Sequence, residues 1–390
     1  MAYLLGPFLA FFLSFILLSK RNKTKADRIL FAWLLISGIH MGLFYFQVTE
    51  IHFQYPFLLG LILPLPLLQW PMLYLYISSL TTNNSFRPRQ LLHFIPFLVS
   101  MVIILPFLLA PANEKIYVFR HDGKGYEGTN AALLIGTIIS ALIYTFLSIK
   151  KIGAFRSAIR NKYSQIEKIN LKWLYYLTAG MTIIFVIVLF DDNSRLTYLA
   201  VAGFIAFIGY FGIKQVGIFT QKLSPDHDQL PTSELLQSGR NVQQTRPAMV
   251  EIQSDQIPAN NSNEKYLRSS LTPEDAKAIQ QELSHLMRTE KPFKNEELTL
   301  DELSKMLNVL PNQLSQVINS LERKNFYDYI NELRVQEFIE LASLPQNRNL
   351  TLLSLSMDAG FNSKTSFNRN FKKITGRSPS EYLKELQKKP

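Results

Sequence analysis

Ala359-Gly360-Phe361-Asn362-Ser363-Lys364-Thr365-Ser366-Phe367-Asn368-Arg369-Asn370-Phe371-Lys372-Lys373-Ile374-Thr375-Gly376-Arg377-Ser378-Pro379 reads as a helix-turn-helix. Phe367, Phe371 and Ile374 recur at four and three residues, which predicts one buried helical face. At about 100° per residue, Thr365, Arg369 and Lys372 point the opposite way. Gly360 ends the preceding helix, and Ser378 with Pro379 starts the next. A short helix, a tight turn and a helix with a polar, basic outer face are the parts that enter a major groove.

The Gly-Phe pair, the Phe four residues before a Phe-Lys pair, and the later Gly and Pro closely resemble the second helix-turn-helix of AraC/XylS-type bacterial transcription regulators. That family carries two such motifs joined by a long helix, and a first motif is legible upstream. Leu300, Leu303, Met306 and Leu307 form one amphipathic helix, with Asp301 and Glu302 near its positive end. Asn308-Val309-Leu310 makes the turn, and Pro311 opens a second helix with Leu314, Val317, Ile318 and Leu321 inward. Residues 325–343 supply the connecting helix. The resemblance covers residues 271–390, with motifs near 300–321 and 350–374.

On the first recognition helix Asn312, Gln316 and Asn319 face outward, with Ser315 beside them. On the second, Thr365 and Arg369 do so, flanked by Lys364, Ser366 and Asn368. The resemblance implies that these positions touch base edges of double-stranded DNA. Asn and Gln suit adenine, and Arg suits guanine. Lys372, Lys373 and Arg377 suit phosphates, which position without specifying. The two recognition helices would then meet successive major-groove segments about 34–36 Å apart.

Upstream the composition changes. The chain has 390 residues, 47% of them hydrophobic, and the apolar ones concentrate before residue 220. A bilayer core needs about 20 apolar residues per helix. Seven runs are expected to span, near 2–19, 28–48, 56–80, 91–110, 130–149, 173–190 and 196–213, the third kinked by Pro64, Pro66 and Pro71. Loops after the odd runs carry 14 Lys or Arg against 4 after the even runs. The positive-inside rule places the N-terminus outside and the C-terminus inside. The first run lacks a basic residue before it and a small-residue cleavage pattern, so it reads as an anchor. The basic segment 150–172 is expected to rest on anionic headgroups of the lipid bilayer. Within the DNA-binding part, residues 271–345 sum to −5 and residues 346–390 to +6.

Little supports catalysis, a metal or a cofactor. There is no cysteine, which excludes disulfides and zinc fingers, and the six histidines show no helical ligand spacing. No Gly-rich phosphate loop precedes a Lys and Ser/Thr. A retinal lysine is also missing from mid-span, since the last run offers only Lys214 at its end. His40, Gln47 and Gln69 are polar groups inside spans, open either to a ligand role or to helix–helix hydrogen bonding. The outer loop 111–129, with Arg120, Asp122, Lys124 and Tyr126, reads either as a ligand contact or as a solvated connection. Residues 224–270 are polar and aperiodic, and read as a disordered linker with a reach of roughly 35–40 Å.

The expected architecture is all-α: a seven-span bundle (1–222), a linker (223–270) and a cytosolic two-motif DNA-binding domain (271–390). The expected function is a transcription regulator of a bacterial inner (cytoplasmic) membrane, coupling a signal ligand or membrane partner to DNA, as a monomer or a homo-oligomer. The alternative is a transporter or receptor whose tail is a protein-interaction module.

Overall fold

The computed structural model describes residues 2–82, 88–166, 172–190, 195–223 and 271–386. The linker reading of 224–270 lies outside them. The described chain is helical, with one isolated bridge and no strand. It divides into two compact units, the first of residues 1–157 and 169–223, the second of residues 158–168 and 224–390.

In the first unit each apolar run contains a helix: Leu5–Ser19, Lys25–Val48, Pro66–Thr81, Ile95–Leu109, Glu127–Arg160, Lys172–Phe190 and Arg195–Leu223. Thr24 and Asp27 start the second of these through a capping box, with Lys20 2.7 Å from Asp27. The third run departs from a single kinked span. Residues 56–58 form a 3-10 turn, and α-helix begins only at Pro66. Proline suits a first helical turn, where its missing N–H is unsatisfied anyway, and disrupts a helix interior. The loop 111–129 is also more ordered than a bare connection, since it contains a helix at Ala112–Arg120 with Val118 buried. Trp33, Trp70, Tyr76, Trp173 and Ile205 belong to one core. Inside it, Trp33 Nε1 donates to Gln69 Oε1 at 2.7 Å. Four helical stretches, Lys25–Val48, Pro88–Leu109, Glu127–Arg160 and Lys172–Phe190, are long and apolar enough to cross a bilayer, while Leu5–Ser19 and Leu196–Gly212 are shorter apolar helices.

The second unit has two small cores strung on one helix, Phe326–Ser343. Its first half gives Phe326 and Ile330 to a core with Leu283, Leu303, Leu314 and Val317. Its second half gives Val335 and Phe338 to a core with Leu355, Phe361, Phe367 and Phe371. Around these lie the helices Pro273–Thr289, Leu300–Met306, Pro311–Ser320, Leu352–Asp358, Lys364–Thr375 and Pro379–Leu386. Thr272, Thr299, Asn325, Thr351 and Ser363 each accept from a backbone N–H at the third position of the helix they precede.

A segment far upstream completes this unit. Tyr163 bridges Thr299, Leu300 N donates to Lys162 O at 2.9 Å, and Ser164 Oγ donates to Leu298 O at 2.6 Å. Asn331 Nδ2 donates to Ser164 O at 3.0 Å. Arg334 is buried and gives its guanidinium to the carbonyls of Phe293 (2.7 Å) and Asn295 (2.8 Å) and to Ser164 Oγ. The expectation that all of 150–172 rests on lipid is therefore corrected for 158–166. Within that stretch Arg160, Lys162, Tyr163 and Ser164 bond to protein partners, and Ser164 is 2% exposed.

Candidate nucleic-acid interface

The second recognition helix, Lys364–Thr375, is set by its ends and by two rings. Ser363 Oγ accepts from Ser366 N at 3.2 Å, and Gly376 closes the helix at φ +78°, a left-handed conformation that favours glycine. Phe367 and Phe371 lock it to Phe338, with ring centroids 4.5 and 5.5 Å away. The turn before it depends on Gly360, at φ +98°, where a Cβ would stand 2.6 Å from Phe293 O. Outward from this scaffold, Lys364, Thr365, Asn368, Arg369, Lys372, Lys373 and Arg377 are all exposed.

Four positions depart from the sequence reading. Ser366 is buried and not outward. It lies four residues from Asn370, on the flank turned toward the connecting helix, where Asn370 Nδ2 donates to Tyr327 Oη at 2.8 Å. Ile374 has the angular position of a core residue but is 40% exposed, because it stands a turn beyond Phe371, the last ring this helix gives its core. Met306 and Leu321 end their helices partly in the open for the same reason.

On the first recognition helix, Pro311–Ser320, Leu314, Val317 and Ile318 are buried as expected. Asn312 is exposed, and Ser315, Gln316 and Asn319 are half-buried. Asn319 Nδ2 donates to Ser315 O at 2.7 Å, so part of its hydrogen-bonding capacity is spent within the helix.

The sequence reading missed the residues that hold the basic face in place. Arg369 Nη2 donates to Tyr327 Oη at 2.5 Å, and Lys373 Nζ lies 2.8 Å from Asp328 Oδ1. Arg160 reaches the same carboxylate, at 2.7 and 2.9 Å to its two oxygens, with its guanidinium over the Tyr327 ring. Partial burial opposes ionisation of Asp328, but the Lys373 hydrogen bond and the Arg160 charge outweigh it and hold the carboxyl below its ordinary value. Two cations of the exposed face are thus oriented by the start of the connecting helix. The signal for Asp328 was its place three residues after Asn325, a capping spacing. Arg334 was signalled by standing between Ile330 and Phe338 at four-residue steps, on the inward face.

His40, Gln47 and Gln69 all line one cavity of the first unit. Among the described residues no group of three or more His, Asp or Glu forms a metal site.

Residues 303–385 match the family model described as a helix-turn-helix domain. No curated protein and no solved structure matches the chain. The match runs from inside the first motif, through the connecting helix, to the helix after the second. Over these residues the C-terminal part of the chain is similar to a helix-turn-helix domain, in line with the AraC-type resemblance of its two motifs.

Proposed function

We propose that the chain is a membrane-anchored, sequence-specific transcription regulator, its first unit sensing and its second reading double-stranded DNA. The observation that carries the DNA reading is the exposed face Lys364–Lys373. It is rigidly mounted by Phe367 and Phe371 and aligned by Tyr327 and Asp328. Arg369 is assigned to a base edge and Lys364, Lys372, Lys373 and Arg377 to phosphates. Asn312 and Gln316 read the other half-site.

Four helices of spanning length support the membrane reading, as does the outward display of Phe8, Phe15, Val102, Leu142 and Phe146. The seven-span count and the inside C-terminus rest on the apolar runs and the biased basic loops, in the inner membrane of a bacterium.

Gel-shift titration of the full chain in lipid nanodiscs, against a pool of random duplexes, tests the proposal. Enrichment of one sequence class with salt-dependent affinity is the expected result. A chain that enriches nothing would instead fit a receptor or transporter with a protein-interaction tail.

A further inference from the structure

The first unit contains a partly open cavity of about 800 Å³. Trp33, Ser37, His40, Met41, Phe44 and Gln47 line it from one helix. Their spacing marks a single helical face from Trp33 to Gln47, whose fourteen steps cover about 21 Å at 1.5 Å per residue. Such a length suits an extended molecule, and the volume lies within the range of ligand pockets.

Its polar groups are few and complementary. His52 is 6% exposed, and its Nδ1 lies 2.8 Å from Phe46 O. A carbonyl only accepts, so Nδ1 carries the proton, and in the neutral ring Nε2 is an acceptor. That Nε2 is buried without a hydrogen-bond partner. Further along, Gln69 Oε1 is occupied by Trp33 Nε1 at 2.7 Å and Ser37 Oγ at 3.2 Å, leaving its amide N–H groups as donors. The charged residues in the lining are Glu50 and Asp122; no Lys or Arg joins them. Carboxylates and phosphates are disfavoured on that account.

We propose that this cavity binds an elongated, uncharged amphiphile of the long-chain alcohol class, whose hydroxyl donates to His52 Nε2. A second polar atom, where the ligand has one, accepts from Gln69. The proposal rests on reading the first unit as the sensing half.

The chain supplies its own reporter. Of its three tryptophans, Trp33 and Trp70 line the cavity and Trp173 does not. The full chain in nanodiscs, with empty nanodiscs as the partitioning control, is titrated with 1-tetradecanol and with tetradecanoate while tryptophan emission is followed. Saturable change with the alcohol, and at least about tenfold weaker response to the carboxylate, is expected; about tenfold corresponds to one lost hydrogen bond or one repelled charge. His52→Phe keeps the ring and removes the acceptor, and should weaken the alcohol about tenfold. Equal binding of both probes to the unaltered chain overturns the proposal without any substitution, and so does an alcohol affinity indifferent to His52→Phe. Saturable binding that leaves DNA affinity unchanged removes the sensing role while the site stands.

Discussion

In the first unit the large apolar side chains Phe8, Phe15, Val102, Leu142 and Phe146 turn outward, while Ser14, Ser100, Thr137 and Thr178 are buried. In the second, Leu303, Leu314, Ile330 and Phe338 are inside, and the recognition face is lysine, arginine, asparagine and threonine. These four hydroxyls bond to carbonyls three or four residues back in their own helices, as Thr137 does to Leu133 O at 2.8 Å. On the membrane reading proposed for the first unit, the two units meet two different solvents. In the second, burial of apolar surface drives packing; in hydrocarbon that drive is absent, and close packing and internal hydrogen bonds take its place.

A charge placed outward should separate the units most sharply. Leu142→Arg, at 68% exposure on Glu127–Arg160, should cost about 2.5–3.5 kcal/mol of membrane insertion and lower the membrane-integrated fraction. Met306→Arg, at 53% exposure in the second unit, should change stability by less than about 0.5 kcal/mol. Equal costs in quantitative membrane fractionation and hydrogen exchange would collapse the distinction.

Backbone strain gives the next effect. Gly360→Ala puts a methyl group against Phe293 O at positive φ and should destabilise the second unit by about 1–3 kcal/mol. Gly42→Ala, whose Cβ would meet nothing within 4 Å, should not. Local hydrogen-exchange protection of each unit checks both.

On DNA, Arg369→Ala should lose about 1–3 kcal/mol and relax preference at one base pair. Lys372→Ala should lower the slope of log K against log salt by about one, evenly across sequences. A uniform loss for Arg369→Ala would turn it into a phosphate contact. Competition binding with single-base variants of the selected site decides.

The smallest effect concerns pH. In Asp328 and Glu337 burial favours the neutral acid, but Lys373 and Arg160 for one, and Lys291 and Lys294 for the other, hold both carboxyls below their ordinary values. Their stabilisation is present above the unfolded value near 4 and is lost as pH falls through the lower folded values. Acid should therefore loosen the second unit below about pH 4, and Asp328→Asn should flatten that dependence in pH-jump hydrogen exchange.

Periodicity made the helices of both units legible, because Phe367 and Phe371 or Leu314 and Val317 announce a buried face wherever they occur. His40, Gln47 and Gln69 stood out in the sequence only as polar groups inside apolar runs, and that they line one cavity is visible only in the fold. Periodicity failed where one helix end meets a distant one. Ser366 reads as flanking the outward face until Tyr327 is seen to pair with its neighbour Asn370, and nothing local to Asp328 names Arg160, 168 residues away. Ile374 failed in the opposite sense, since angle alone does not reveal where a core ends.

Ser164 is made early and used late. Its partners at Leu298, Asn331 and Arg334 follow it by 134 to 170 residues. At about 5–20 residues per second of synthesis, the segment waits roughly 7–34 s for them. A nascent chain stopped before residue 298 has the upstream segment without its partners, and a fragment begun at 271 has the partners without the segment, with Arg334 short of Ser164. The second unit is thus a discontinuous folding unit, closed by the ribosome only near the end of translation.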